Sequence, residues 1–174
     1  ADLSRMKRWE FFRWSISSER ARVMWEYIEP LIDNTNLWQG EASVEQCVTA
    51  RLQEYDGTIF FCCSLSDMER ISTFTRAAQA AGRQVRDVRR CSADVAPQTL
   101  AKVKGKQAIF VRHSQQKYLS EYLAACPAGE RHLVLYSRRH GNGPSPHMSA
   151  FMDFWIERNV DILDLNHIDS AMRN

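Results

Sequence analysis

The stretch TIFFCCSLSDMERISTFTRAAQAAG, from Thr58 to Gly82, determines the fold class. Its first part, 58–64, is apolar, rich in β-branched and aromatic residues and too short for a core helix, so it predicts a strand buried on both faces. Ser66 followed by Glu69 has the pattern of a capping box, which predicts that a helix begins there. Apolar residues then recur at spacings of three and four until Gly82, which predicts the end of that helix.

The same strand–turn–helix pattern recurs twice further along the chain. Predicted strands at 107–111 and 132–136 are followed by predicted helices at 114–125 and 145–158, and 160–165 alternates as a last strand. The other predicted elements are helices at 18–28, 43–55 and 97–103 and a strand at 84–88. This order predicts an α/β fold: a mostly parallel, Rossmann-like sheet with helices on both faces.

Composition is that of a globular protein with a sizeable core. The chain has 174 residues, of which 44% are hydrophobic and 25% charged, and no apolar run approaches the ~20 residues that a membrane-spanning helix needs. Its five cysteines include no Cys-x-x-Cys pair, which is typical of free thiols in a reducing compartment. We therefore expect a cytoplasmic protein that does not associate with membranes.

The chain divides into a helical leader, 1–30, and an α/β domain, 31–174. The leader carries Trp9, Trp14 and Trp25 among basic residues. So much aromatic surface in a terminal segment predicts an exposed patch or a self-association surface, as in a homodimer.

Charge is unevenly distributed although the net charge is only +2. Nine basic residues stand against Asp87 and Asp94 between Arg76 and Arg112. Such a stretch is typical either of a phosphate-facing surface or of an ordinary solvated face, and the sequence leaves both open.

Ligands of parallel α/β sheets bind where the strands end and the next helices begin. Hydroxyl and guanidinium groups in those loops are suited to hold phosphates, although Ser66 taken alone is better explained as a helix cap. The candidate nucleic-acid-binding residues are Ser64, Ser66, Arg112, His113, Ser137, Arg138 and Asn142. No P-loop, Gly-x-Gly-x-x-Gly or Gly-x-Ser-x-Gly motif is present, and the histidines lack metal-ligand spacing among themselves.

Four motifs follow one another in a defined order. They are LIDNTN (31–36), SLSDMER with the helix that ends in AAQAAGR (64–83), LVLYSRRHGNG (133–143) and LDLNHIDSA (163–171). Their order and spacing resemble the β-CASP domain of metallo-β-lactamase-fold nucleases, in the ribonuclease J-like branch.

The resemblance implies hydrolysis of RNA or single-stranded DNA by two zinc ions that activate a bridging water. It assigns Asp33 and His167 as a catalytic pair beside the leaving group and Asp2 as a metal ligand. The family's His-x-His-x-Asp-His cluster is absent from these residues, so the resemblance also implies an incomplete metal site in this chain.

Three functional hypotheses follow. The first is the β-CASP portion of a zinc-dependent nuclease, whose catalysis needs the missing lactamase half. The second is a non-catalytic binding or scaffold module that holds nucleic acid or an active partner catalytic subunit. The third is a Rossmann-like domain that binds a mononucleotide at 64–67.

Overall fold

Strands and helices alternate along the chain as the sequence predicts. The computed structural model describes residues 41–90, 95–137 and 146–165. The elements are α1 Glu41–Gln53, β1 Ile59–Cys62, α2 Met68–Ala80, β2 Gln84–Asp87, α3 Pro97–Ala101, β3 Gln107–Phe110, α4 Gln116–Ala125, β4 Leu133–Tyr136, α5 Pro146–Glu157 and β5 Asp161–Asp164. A short 3-10 turn, His113–Gln115, leads directly into α4.

The strands form one five-stranded sheet in the order β2-β3-β1-β4-β5, and every pair of neighbours is parallel. Strand β1 lies at the centre, where Phe60 is in register with Ile109 of β3 and Val134 of β4. The predicted α/β class with a parallel sheet is confirmed.

Side chains of β1 alternate between two hydrophobic cores. Ile59 and Phe61 pack with α1 and α2 on one face, where the ring of Phe61 stacks on Phe74 with centroids 4.6 Å apart. Phe60 packs with the helices of the other face, at 4.9 Å from the Trp155 ring. Burial on both faces explains why the strand is apolar at every position.

The start of α2 differs from the prediction. The helix begins at Met68, and its N-cap is Asp67, whose Oδ1 accepts a hydrogen bond from the Arg70 amide at 3.2 Å. The predicted cap at Ser66 is therefore wrong by one residue, because the chain first makes a turn in which the Asp67 amide donates to the Ser64 carbonyl at 3.2 Å. The predicted end of the helix is confirmed by Gly82, which has a φ of 74°.

Two buried polar side chains hold the amino edge of the sheet, where the strands begin. Arg83 donates to the carbonyls of Gly57 at 2.7 Å and Tyr55 at 2.6 Å. His132 accepts a hydrogen bond from the Thr58 amide at its Nδ1, at 2.8 Å. These contacts join the start of β1 to the segments that precede β2 and β4.

The predicted helix at 18–28 and the leader tryptophans lie outside the described residues. Within the described ranges, none of the helices is both long enough and apolar enough to cross a bilayer.

Candidate nucleic-acid interface

The carboxyl ends of β3, β1 and β4 lie side by side and bring polar loops together. The chain leaves β1 toward one face of the sheet and leaves β4 toward the other, since α2 and α5 belong to opposite cores. Such a divergence opens a crevice between the two strand ends, the usual ligand position in parallel α/β sheets. We call the polar residues of this edge the rim: Ser64, Ser66, Arg70, Arg112, His113 and Ser137.

Two serine hydroxyls lie together in the loop after β1. Ser64 Oγ and Ser66 Oγ are 2.9 Å apart, and the Ser66 amide lies 3.3 Å from Ser64 Oγ. Ser66 is exposed and Ser64 half-buried, so a ligand can reach both hydroxyls. One hydroxyl of the pair donates to the other, which leaves one O–H free to donate to a phosphate oxygen.

Arg70 bridges the crevice between β1 and β4. Its guanidinium Nη1 donates to Ser137 Oγ at 3.1 Å, and both side chains are buried. The Ser137 amide donates to the Cys62 carbonyl at 2.9 Å, which fixes Ser137 at the end of β4. The structure thus places a buried guanidinium at the crevice, where it holds Ser137. Arg70 is not among the site residues that the sequence predicts, although it stands in the SLSDMER motif that carries the family resemblance.

The loop after β3 presents two exposed side chains, those of Arg112 and His113. The Arg112 amide donates to Gln115 Oε1 at 3.0 Å, and Gln115 Nε2 donates to the Val88 carbonyl at 2.6 Å. These bonds hold the loop against the end of β2. The His113 ring lies 6.5 Å from that of His147 in the first turn of α5, so the β3 and β4 connections approach each other here.

Arg89, after the end of β2, is part of the packing. It is 2% exposed, pairs with Asp87 at 2.8 Å between Nη2 and Oδ2, and lies over the Phe110 ring at 4.9 Å. Because its charge is paired and buried, Arg89 does not offer a phosphate contact.

The basic stretch from Arg76 to Arg112 is therefore not one phosphate-facing surface. Arg83 and Arg89 are buried, and the exposed Lys102, Lys104 and Lys106 precede β3, at the opposite edge of the sheet from the rim. At the carboxyl edge of the sheet, this stretch exposes Arg90 after β2 and Arg112 after β3.

Cys63 directly precedes Ser64, and its thiol is half-buried. Burial raises the pKa of Cys63 to about 11, and Arg89 lowers it by a smaller amount. The thiol is therefore protonated near neutral pH, whereas a nucleophile or metal ligand must be a thiolate.

The remaining predicted site residues lie outside the described residues: Asp2, Asp33, Arg138, Asn142 and His167. Within residues 41–90, 95–137 and 146–165, no three His, Cys, Asp or Glu side chains are grouped so that they could hold a metal ion. The zinc ions and the catalytic pair that the resemblance implies therefore stay predictions.

The fold and the rim define a class: an α/β protein with a parallel sheet and a polar crevice at its carboxyl edge. No protein-family model matches the chain, and no curated protein is significantly similar to it. The resemblance to the β-CASP domain rests on the motifs of the sequence alone.

Proposed function

We propose that the rim binds the phosphate backbone of RNA or single-stranded DNA, and that the chain is the β-CASP-like portion of a zinc-dependent nuclease. The observation that carries the binding role is the accessible Ser64–Ser66 hydroxyl pair at the sheet edge that also exposes Arg112. It puts neutral and cationic donors together at the crevice of a parallel sheet, and such donors position a nucleic-acid backbone.

The proposed phosphate contacts come from side chains. The amino end of α2 is capped by Asp67, whose carboxylate accepts a hydrogen bond from the Arg70 amide at 3.2 Å. The negative charge of this carboxylate repels a phosphate at the helix amino terminus, which is where a mononucleotide-binding loop normally holds its phosphate. The described geometry therefore favours a backbone that lies across Ser64, Ser66 and Arg112 over a nucleotide bound on the axis of α2.

In this proposal the described residues bind the strand, and Asp33 and His167 act at the bond that is cleaved. Because the sequence lacks a His-x-His-x-Asp-His cluster, we expect no cleavage of single-stranded RNA by this chain alone when zinc or manganese is added. Metal-dependent cleavage by these residues would contradict an incomplete metal site.

Binding is tested with a fluorescein-labelled single-stranded RNA and three proteins. The double variant Ser64→Ala/Ser66→Ala removes the hydroxyl pair and is expected to bind about fivefold more weakly, since the hydrogen bond from the free O–H contributes about 1 kcal/mol. The control is Ser72→Ala, which removes an exposed hydroxyl from α2 outside the rim and should bind like the wild type. Equal affinities for all three proteins would contradict the proposed role of the rim.

A further inference from the structure

Three large hydrophobic side chains are exposed among the described residues, and two of them lie at the serine pair of the rim. Leu65 is 38% exposed, Met68 65% and Val95 41%. Leu65 stands between the two serines, and Met68 is the first residue of α2. Single exposed apolar residues are common on protein surfaces, but two of them this close together at a candidate ligand site indicate a surface that a ligand can cover.

Core packing and turn chemistry do not account for these two side chains. The Asp67 amide donates to the Ser64 carbonyl at 3.2 Å, which closes a turn with Leu65 and Ser66 at its corner. Such corners favour glycine, proline and small polar residues over leucine. Neither Leu65 nor Met68 packs in either of the two hydrophobic cores of the described part of the chain.

The charges around Met68 disfavour a phosphate and tolerate a neutral group. Asp67 caps α2 with its carboxylate, and Glu69 is exposed in the first turn of the helix. Both carboxylates repel a phosphate, whereas an uncharged ring is not repelled. The hydroxyl of Ser66 and the guanidinium of Arg112 favour a phosphate elsewhere on the same rim. The rim thus combines phosphate-binding groups with an apolar surface between carboxylates.

A single-stranded nucleic acid has both matching surfaces. Its phosphates are negative, and its unpaired bases are flat, neutral rings whose faces proteins cover with apolar or aromatic side chains. Methionine is suited to this contact, because its flexible side chain carries a polarizable sulfur that interacts favourably with aromatic rings. The methyl groups of leucine add apolar area to the same contact.

We propose that Leu65 and Met68 contact the face of an unpaired base in a strand whose phosphates are held by the serine pair and Arg112. This inference rests on the proposed phosphate binding at the rim and adds a contact to the base. Because the face of a ring carries no hydrogen-bonding edge, the contact does not select one base over another. Binding then has a salt-dependent part from the phosphates and a part from the base that does not depend on charge.

The test compares a fluorescein-labelled oligouridylate with a labelled strand of equal length in which every nucleotide is abasic. The second strand keeps the phosphates and lacks the bases. The wild type should bind oligouridylate about fivefold more tightly than the abasic strand. The double variant Leu65→Ala/Met68→Ala should bind both strands with the affinity that the wild type has for the abasic strand. Its salt slope should be unchanged, because no charge is removed.

Gln79→Ala is the matched control, since it shortens an exposed, unbranched side chain near the other end of α2. It should keep the wild-type preference for oligouridylate, and loss of the preference in this variant as well would overturn the proposed location.

Two further outcomes separate the base contact from phosphate binding. Equal binding of both strands by the wild type, or a preference for oligouridylate that persists in the double variant, would overturn the base contact alone. Phosphate binding would then still be supported by salt-dependent binding of the abasic strand. Absence of binding to either strand would overturn phosphate binding at the rim and the base contact with it.

Discussion

Arg83 joins three parts of the fold through one guanidinium. Nη1 donates to the carbonyls of Gly57 and Gln107 at 2.7 and 3.3 Å, and Nη2 to those of Leu52 and Tyr55 at 2.9 and 2.6 Å. The Leu52 carbonyl belongs to the last turn of α1, where helical carbonyls lack partners within the helix. In the sequence, Arg83 is simply one of the nine basic residues between Arg76 and Arg112. Its structural role depends on hydrogen bonds to carbonyls that are distant in sequence.

We expect Arg83→Lys to lower the free energy of unfolding by about 2 to 4 kcal/mol, because a lysine ammonium cannot reach all of these carbonyls and leaves buried acceptors unpaired. Arg86→Lys, an exposed change in β2, is the matched control and should alter stability by less than about 0.5 kcal/mol. Urea denaturation measures both. Equal losses in the two variants would show that the Arg83 contacts do not stabilise the fold.

His132 makes stability depend on pH. Burial lowers the pKa of His132 below its usual value, with nearby Asp56 acting in the opposite direction. The folded protein therefore keeps the imidazole neutral, and neutral Nδ1 accepts from the Thr58 amide. As the pH falls below the ordinary histidine value of about 6.5, the unfolded chain binds a proton that the folded protein resists, so stability decreases.

This prediction is checked by urea denaturation at about pH 7.5 and about pH 5.5, on either side of the ordinary histidine pKa. The wild type should lose more stability between these pH values than His132→Gln, which has no titratable group at this position. A pH dependence that is the same in both proteins would exclude His132 as its source.

At the scale of the element, local pattern predicted most of the structure. Strands β1, β3 and β4 are short, largely apolar segments, and the helices repeat their buried residues at spacings of three and four, so each of these elements is encoded within its own segment. The start of α2 was misplaced by one residue because Ser66 and Asp67 are both good caps. The turn between Ser64 and Asp67 selects Asp67, and this turn depends on backbone geometry that the pattern does not contain.

The turn before β1 depends on close approach of two backbones. A Cβ on Gly57 would lie 2.5 Å from the Arg131 carbonyl oxygen and 2.5 Å from His132 Nδ1, and the Gly57 amide donates to that carbonyl at 3.0 Å. Gly57→Ala should therefore cost about 2 to 3 kcal/mol of unfolding free energy, since the backbone must shift.

Gly82→Ala is the comparison for Gly57→Ala. Gly82 has open space around it but a φ of +74°, so alanine there should cost only about 1 kcal/mol from backbone strain. Thermal or urea denaturation ranks the two variants. A smaller loss for Gly57→Ala than for Gly82→Ala would contradict the close approach at Gly57.

At the scale of the whole molecule, the sequence predicted a parallel sheet but not which strands are neighbours. The order β2-β3-β1-β4-β5 depends on pairing between segments far apart in sequence. The Arg70–Ser137 hydrogen bond likewise joins residues 67 positions apart. The strand-end loops were therefore predictable as a group, whereas the bridge across the crevice and the burial of Arg83 and Arg89 follow from the three-dimensional packing.

The most direct test of phosphate binding at the rim is the salt dependence of single-stranded RNA binding by the wild type, Arg112→Gln and Arg86→Gln. Both arginines are exposed, but Arg112 lies on the rim and Arg86 in the edge strand β2. Affinity of the wild type should fall log-linearly with salt, and Arg112→Gln should reduce the slope by about 0.7, the value for one phosphate contact with a single strand. Arg86→Gln should keep the wild-type slope. Salt-independent binding, or equal slopes in the two variants, would contradict phosphate binding at the rim.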